Sequence, residues 1–133
     1  MTESNGSCGC GVVKFKLKSE ILNVVNCHCN MCRNHNGSPF STYAVLPFKS
    51  CEITKGHEYV SNYSVGSGTK HFCKKCATPL FNVNKKYPGA CMIFLGTLKS
   101  VNDLLPKVNV WCESKLTWVD SMSDITSLPN GIE

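Results

Sequence analysis

Apolar and polar residues alternate over short stretches of the chain, and no stretch keeps a helical period for ten or more residues. The clearest alternation lies between residues 12 and 18, where Val13, Phe15 and Leu17 are separated by lysines. Successive side chains of a strand point to opposite faces, so this segment is predicted to be a strand with one wet face. Gly, Pro and Asn residues separate such segments, which predicts an all-β fold, a folded sheet or an open barrel.

Further strands are predicted where β-branched and aromatic residues are concentrated. The segments are 21–25, 40–48, 51–54, 59–63, the two flanks of 73–76, 90–95, 108–112 and 116–119. Segments 51–54 and 59–63 are predicted to pair across a turn at 55–57, and 65–68 is predicted to be a flexible loop. Single helical turns are expected in the polar loop 33–39 and at 100–105.

The chain has 133 residues, the size of one domain with a core of its own. We expect a flexible N-terminal tail over residues 1–6, a single zinc-binding β domain over 7–125 and a loose C-terminal end over 126–133. The reason for assigning zinc to this domain lies in its cysteines.

Ten cysteines are far more than a chain of this length usually contains. In a secreted protein they would predict disulfides. Residues 1–7, however, have neither the basic nor the apolar region of a signal peptide, and no apolar run approaches the roughly 20 residues of a membrane span. We therefore expect reduced thiols, no membrane partner and a cytoplasmic location, with the nucleus also compatible.

Seven of the cysteines form three clusters, and the middle cluster has the most restrictive spacing. Neighbours in its Cys-x-Cys segment cannot easily form a relaxed disulfide with each other. A metal ion, in contrast, gathers several thiolates from a tight turn into a tetrahedral shell. The clusters are Cys8 with Cys10, Cys27 with Cys29 and Cys32, and Cys73 with Cys76.

Seven thiolates divide naturally into a closed set of four and an open set of three. The two outer pairs are predicted to close a structural zinc site, and the middle trio is predicted to hold a second zinc with an open coordination position, the usual mark of a catalytic zinc. A division in which the trio takes one residue of the last pair stays open, as does iron in place of zinc. The isolated Cys51, Cys91 and Cys112 are predicted to be small buried side chains.

The formal net charge is +5 before any metal is bound. Zinc-bound thiolates would lower it to about +2. The basic balance is therefore weak support for nucleic acid, which we do not expect as a partner. It remains compatible with a small anionic ligand.

Several segments carry a joint pattern that is more specific than any one cluster. They are 8–13, 27–33, 37–40, 72–76, 79–81 and 114–118. Together they resemble the glutathione-dependent formaldehyde-activating enzyme family, also called the centromere protein V family, and the resemblance covers roughly residues 7–119. It implies a mostly β, Mss4-like (β-tent) fold stapled by two zinc ions, with Cys8, Cys10, Cys73 and Cys76 at the structural zinc and Cys27, Cys29 and Cys32 at the catalytic zinc.

The family's activity is carbon–sulfur bond chemistry, in which formaldehyde is joined to glutathione to give S-hydroxymethylglutathione, or the reverse. We accordingly expect a zinc-dependent lyase or synthase whose partners are a small thiol such as glutathione and an aldehyde. A thiol with a pKa near 8.5 is mostly protonated at neutral pH, and the open zinc position would deprotonate it for attack on the aldehyde carbon.

Four residues beyond the metal ligands receive predicted roles. Arg33 and Lys115 are candidates to hold the carboxylates of a glutathione-like substrate, and His28 is a candidate to move a proton or orient the site. An exposed loop position for His28 and a surface charge at Arg33 are the alternatives. His35 is a weaker candidate of the same kind, and the other two histidines, His57 and His71, are expected at a turn or in the core.

The sequence departs from the family at Ala77, where the family usually has glycine after the Cys-x-x-Cys pair. If this position needs a positive φ, alanine costs about 1 kcal/mol or more.

Two other classes of function remain open. The protein could be a non-catalytic, zinc-stabilised binding module for a protein or nucleic-acid partner, with Lys14, Lys16, Lys18 and the Lys74–Lys75 pair as contacts. It could also be a thiol redox sensor built on the middle trio.

Overall fold

The computed structural model describes residues 4–132 and confirms the all-β prediction. Within that range ten strands and one α-helix alternate with short 3₁₀ turns. The strands are β1 (Ser4–Ser7), β2 (Lys14–Leu17), β3 (Asn23–Cys27), β4 (Ser41–Pro47), β5 (Cys51–Lys55), β6 (Val60–Val65), β7 (Gly68–Cys73), β8 (Pro79–Asn84), β9 (Ala90–Phe94) and β10 (Val108–Val110). The helix α1 spans Asn30–Asn36.

The strands form two sheets. A three-stranded sheet has the order β1-β2-β5, and a seven-stranded sheet has the order β10-β3-β4-β9-β8-β7-β6. All the described pairings are antiparallel except that of β10 with β3, which is parallel. Because β10 adds a strand beside β3, Val110 lies opposite Cys27 of the middle cysteine cluster.

The core lies between the two sheets. Phe15 and Leu17 of β2, with Val13 just before that strand, pack with a second group from the larger sheet. This second group comprises Ala44, Leu46, Leu80, Cys91 and Ile93. Each fully buried Leu or Ile of this set contributes roughly 1.5–3 kcal/mol relative to an exposed position. The alternation seen in the sequence around β2 therefore marks the face that closes the core.

The seven-stranded sheet uses both of its faces. On β4, Ala44 and Leu46 belong to the core, whereas Tyr43 and Val45 line an open cleft on the other side. Successive strand residues point in opposite directions, so one strand serves both surfaces. The cleft described below is thus built on the back of the core sheet.

The predicted N-terminal tail is wrong for residues 4–6. Ser4–Ser7 form β1, which pairs with β2 from Ser4 opposite Leu17 to Ser7 opposite Lys14. Gly6 lies directly against the Phe15 ring, where any Cβ would collide. A polar, glycine-containing segment carries little strand signal, which is why its pairing was not predicted. Residues 1–3 lie outside the described residues.

The predicted pairing of segments 51–54 and 59–63 is also wrong. Both segments are strands, but β5 pairs with β2 and β6 pairs with β7, so they belong to different sheets. At Gly56, φ is 79° and a Cβ would collide with the backbone of Val12. This close approach and the following 3₁₀ turn His57–Tyr59 carry the chain from one sheet to the other.

Three smaller differences concern helices and turns. The helix begins at Asn30, earlier than the predicted turn in 33–39, and it ends at Asn36, where Gly37 follows in the left-handed region with φ 62°. Segment 100–105 contains turns without a helix, and the predicted strand 116–119 is replaced by 3₁₀ turns over Thr117–Asp124. Segment 65–68 is the tight turn between β6 and β7.

Over residues 4–132, no helix combines the length and the apolar character that crossing a membrane would require. Residues 126–132 are exposed and lie outside helices and strands.

Candidate metal centres and the adjoining cleft

The two outer cysteine pairs meet in space and form one cluster, here called the quartet. The Sγ atoms of Cys8, Cys10, Cys73 and Cys76 all lie within 4.8 Å of one another. The Sγ atoms of Cys8 and Cys10 are 3.6 Å apart. Four thiolates around a zinc ion at about 2.3 Å would be about 3.8 Å apart, whereas a disulfide requires about 2.05 Å. The donor set therefore fits a closed tetrahedral metal site.

Local hydrogen bonds hold the quartet's two loops together. Thr78 accepts a hydrogen bond from the Gly9 amide at 2.9 Å, 69 positions away in the sequence, and its Oγ1 is 3.1 Å from Cys76 Sγ. The hydrogen bond from Thr78 lowers the pKa of Cys76 to about 5, which favours the thiolate. The Val13 amide donates to Cys8 Sγ at 3.3 Å. These contacts hold the sulfur atoms of Cys8 and Cys76 in place and, at Cys76, favour the charged form that binds a cation.

Ala77 completes the turn between Cys76 and Thr78 with φ 68°. Its amide donates to the Cys73 carbonyl at 2.7 Å, which closes the turn. The position does require a positive φ, and alanine bears the steric cost that glycine would avoid. The departure from the family pattern therefore affects the turn and leaves the four sulfur ligands in place.

The middle cluster, here called the trio, is built from one strand end and one helix start. Cys27 is the last residue of β3, Cys29 caps α1, and Cys32 lies in the first turn of that helix. Their Sγ atoms lie within 4.8 Å of one another, with 3.5 Å between Cys27 and Cys32. The Cys32 amide donates to Cys29 Sγ at 3.2 Å, so a sulfur takes the place of the usual capping oxygen.

Electrostatics within the trio also favour a metal. The hydrogen bond between Cys32 and Cys27 lowers the pKa of Cys27 and raises the pKa of Cys32. The two sulfurs are close enough for one cation to bind both in place of the proton between them. The open alternative in which the trio takes a ligand from the last pair is wrong, because Cys73 and Cys76 lie with Cys8 and Cys10.

An open cleft of about 790 Å³ adjoins the trio. All three trio cysteines line it, and no quartet cysteine does. Its floor includes Val25, Val45 and Met92 from neighbouring strands of the large sheet. The volume lies in the range of sites that take small-molecule ligands.

The charged residues of the cleft are all basic. Lys70 and Lys86 line it, together with His35, and no Asp or Glu of the described residues does so. Lys70 Nζ donates to the His35 carbonyl at 2.9 Å and to Asn36 Oδ1 at 3.4 Å, which ties β7 to α1. An ammonium group has three donors, so one remains for a ligand. The lining favours an anionic molecule.

The predicted substrate residues lie elsewhere. Arg33 donates to the carbonyls of His28 at 3.3 Å and Ser114 at 2.9 Å, and to Asn30 Oδ1. Lys115 forms an ion pair with Asp120 at 2.9 Å. Neither side chain lines the cleft. The contacts of Arg33 connect α1 to the 3₁₀ turn Cys112–Ser114. The roles of Arg33 and Lys115 in binding substrate stay predictions.

His28 is buried, so the alternative of an exposed loop position is wrong. Its side chain is 1% exposed, its Nε2 lies 3.4 Å from Asn109 Oδ1, and its ring packs 4.9 Å from Phe40. Its amide donates to the Val110 carbonyl at 3.0 Å. These contacts hold the backbone between Cys27 and Cys29, which is an orienting position. A role in proton transfer remains a prediction.

The remaining histidines and cysteines mostly follow expectation. His57 lies in an exposed turn, and His71 is half-buried against Phe81, with ring centroids 4.3 Å apart. Burial lowers the pKa of His71. Cys91 is buried and Cys51 half-buried, but the prediction is wrong for Cys112, which is exposed in a 3₁₀ turn beyond β10.

Sequence reasoning missed the polar residues at the trio end of the cleft. Tyr43 Oη lies 3.4 Å from Cys32 Sγ and 3.1 Å from Asn82 Nδ2. Burial raises the pKa of Tyr43, so the hydroxyl keeps its proton. No spacing signal marks these residues. Only the alternation along β4, which places Tyr43 on the face opposite Ala44 and Leu46, could have indicated Tyr43.

Fold and sites together define a cysteine-rich β protein with two metal-type clusters, one closed and one beside a ligand-sized cleft. The sequence profile of the glutathione-dependent formaldehyde-activating enzyme family matches residues 3–114. The chain therefore belongs to that family.

Relatives of this chain carry related names. A protein of Halomonas elongata, named provisionally as a glutathione-dependent formaldehyde-activating enzyme, is 28% identical over 123 residues, which are 86% of this chain and 78% of the relative. An uncharacterised lyase of Schizosaccharomyces pombe is 32% identical over 82 residues, 61% of this chain and 58% of the relative.

A crystal structure of a Rhodobacter sphaeroides protein superposes with a TM-score of 0.65 at 23% identity, over 79% of this chain and 97% of that chain. This similarity supports the fold. The last part of this chain, from residue 115 on, lies beyond the match to the family profile.

Proposed function

We propose that this protein is a zinc-dependent carbon–sulfur lyase or synthase that acts on the adduct of an aldehyde with a small anionic thiol, of which S-hydroxymethylglutathione is the example. Two zinc ions per chain are part of the proposal, a structural one at the quartet and a catalytic one at the trio. The family and the names of its relatives support the reaction class. The rest is argued from the site.

One observation carries the proposal: the trio lines a cleft and the quartet does not. Three sulfur ligands leave a tetrahedral ion one position short, whereas four complete it. The chemistry that such a metal supplies when bound is an open coordination position at which a substrate sulfur loses its proton. A site of this kind is useful for catalysis only where a ligand can reach it.

The chain's own residues bind and orient the substrate in this proposal. Lys70 and Lys86 attract its carboxylates, and the absence of Asp and Glu among the described lining residues removes repulsion. The floor of Val25, Val45 and Met92 gives the reacting end a partly apolar surface. An apolar surface beside the trio strengthens charge interactions there, because it lowers the local dielectric constant.

The alternative of a nucleic-acid or protein binding module receives less support. Among its predicted contacts, Lys18 is paired with Glu52 at 3.3 Å, and Lys16 is half-buried. The basic face of β2 therefore offers fewer free charges than the sequence suggested. The cleft that the trio lines, in contrast, is also lined by Lys70 and Lys86.

Magnetisation-exchange NMR with ¹³C-formaldehyde and glutathione tests the proposal. The zinc-loaded protein should accelerate interconversion of formaldehyde and its glutathione adduct, and Cys29→Ser should abolish the acceleration and lose about one zinc equivalent. Cys112→Ser is the matched control, since Cys112 is exposed and outside both clusters. Equal exchange rates with and without the wild-type protein would refute the lyase assignment.

A further inference from the structure

Tyr43 places a buried hydroxyl group against the trio. The side chain is 4% exposed, and its Oη lies 3.4 Å from Cys32 Sγ. We propose that Tyr43 is a positioning residue whose hydroxyl donates a hydrogen bond to the Cys32 thiolate and so tunes the trio as a metal centre. The inference uses the metal-binding part of the proposed function, and its test is independent of the reaction.

A count of donors and acceptors gives the direction of the hydrogen bond. Besides Cys32 Sγ, Tyr43 Oη has two polar neighbours, Asn82 Nδ2 at 3.1 Å and Asn36 Nδ2 at 3.4 Å. Amide nitrogens only donate, so the phenolic oxygen accepts from both, and Asn82 Oδ1 is left buried without a hydrogen-bond partner among the described residues. Its single hydrogen is then left for the sulfur, which is an acceptor when it is a thiolate.

The orientation of Asn36 is fixed independently of Tyr43. Lys70 Nζ, which can only donate, lies 3.4 Å from Asn36 Oδ1 and thereby identifies that atom as the acceptor. The Nδ2 atom of Asn36 donates a hydrogen bond to Ser41 Oγ at 2.8 Å. The nitrogen of Asn36 must therefore face Tyr43, and a chain of hydrogen bonds runs from Lys70 through Asn36 and Tyr43 to Cys32.

Packing holds the ring in this position. Tyr43 lies on β4 opposite Val25 of β3 and Phe94 of β9, and its ring meets the Phe94 ring edge-on at 4.9 Å between centroids. A ring held between two neighbouring strands has little freedom to move its hydroxyl away from the sulfur. The contact is thus part of the folded architecture.

The chemical consequence follows from the charge of the trio. Three thiolates around one divalent ion give the site a net charge of about −1, which opposes the approach of a fourth, anionic sulfur. A hydrogen bond to one thiolate draws electron density from it and weakens its donation to the metal. Tyr43 would therefore make the centre more receptive to a substrate sulfur.

The experiment uses ¹¹³Cd-loaded protein, because cadmium in the quartet and in the trio gives separate NMR resonances. Tyr43→Phe removes the hydroxyl and keeps the ring. We expect the trio resonance to shift while the quartet resonance, which reports on the fold, stays in place. Tyr63→Phe is the matched control, since Tyr63 also lines the cleft but is exposed, and it should move neither resonance.

Zinc affinity provides a second measurement. The hydroxyl also fixes the position of Cys32 Sγ as a ligand, and loss of such an outer partner typically lowers metal affinity by about 10-fold or more. Because the loss of this positioning outweighs the gain in donation by the sulfur, chelator competition should show a loss of about 10-fold at the trio in Tyr43→Phe and none in Tyr63→Phe. A trio resonance that does not move, or one that moves together with the quartet resonance, would overturn the inference. A shift in a protein without thiol–aldehyde activity would refute the lyase assignment and leave the role of Tyr43 intact.

Discussion

The quartet and the trio contain the same ligand type but serve the fold in different ways. The quartet joins the loop after β1 to the turn after β7, with Cys8 and Cys73 buried. The trio lies within a single segment at the start of α1, and all of its cysteines line the cleft. A metal at the first site cross-links distant segments, whereas a metal at the second orders only a local turn.

This difference teaches that position in the fold and the number of ligands, rather than the ligand type, separate a structural site from a site open to ligands. Binding free energy at a cross-link becomes folding free energy, because the unfolded chain cannot hold the ligands together. The trio is preorganised by β3, α1 and the buried His28, so a metal bound there would add less to stability. Substitutions in the two sites should therefore have separable effects.

The largest expected effect is that of Cys73→Ser. Cys73 is fully buried in the quartet, and its loss removes a ligand from the cross-link. We expect most of the free energy of unfolding to disappear, which for a domain of this kind is about 5–15 kcal/mol in total. Thermal denaturation followed by circular dichroism measures it. A variant that melts within a few degrees of the wild type would show that the quartet is not a stabilising cross-link.

Cys29→Ser, in contrast, should lower activity far more than it lowers the free energy of unfolding. We expect a folded protein that loses about one zinc equivalent and at least about 100-fold in kcat/KM for the adduct of glutathione and formaldehyde, because a direct ligand matters more than the outer partners whose loss costs 10–100-fold. Metal analysis and the exchange assay on the same sample measure both. Retained activity with one zinc lost would remove the trio from the mechanism.

Lys86→Gln tests the charge of the cleft and not the metal. Removing one exposed charge near an anionic substrate should raise KM about fivefold, the effect of about 1 kcal/mol, with kcat little changed. Lys14→Gln, on the exposed face of β2, is the control with the same loss of charge. Equal KM values for the two variants would argue that the cleft lysines do not meet the substrate.

The smallest expected effect concerns the quartet's turn. Ala77→Gly should raise the free energy of unfolding by about 0.5–1 kcal/mol, because relief of the positive φ exceeds the entropy that glycine adds to the unfolded chain. Denaturant titration measures it. The converse change, Gly89→Ala, places alanine at φ 82° with open space around it and should cost about 1 kcal/mol. A destabilised Ala77→Gly would contradict this view of the turn.

The sequence by itself determined the class of fold and grouped seven of the cysteines into three metal-type clusters. Alternation around Phe15 and Leu17 is a local property of strands, and the spacing of seven cysteines leaves few geometries other than a shared metal. The resemblance to the family then assigned the reaction class. These features could be predicted because each depends on residues close together in the chain or on a pattern repeated along it.

Only the tertiary structure decided which sheet each strand joins and which side chains face the cleft. β5 and β6 look like a hairpin in sequence, but the close approach of Gly56 to Val12 separates them. Arg33 and Lys115 contact partners on neighbouring turns and do not line the cleft, whereas Lys70, Lys86 and Tyr43 do line it. Long-range pairing sets such neighbourhoods, and local sequence carries no record of them.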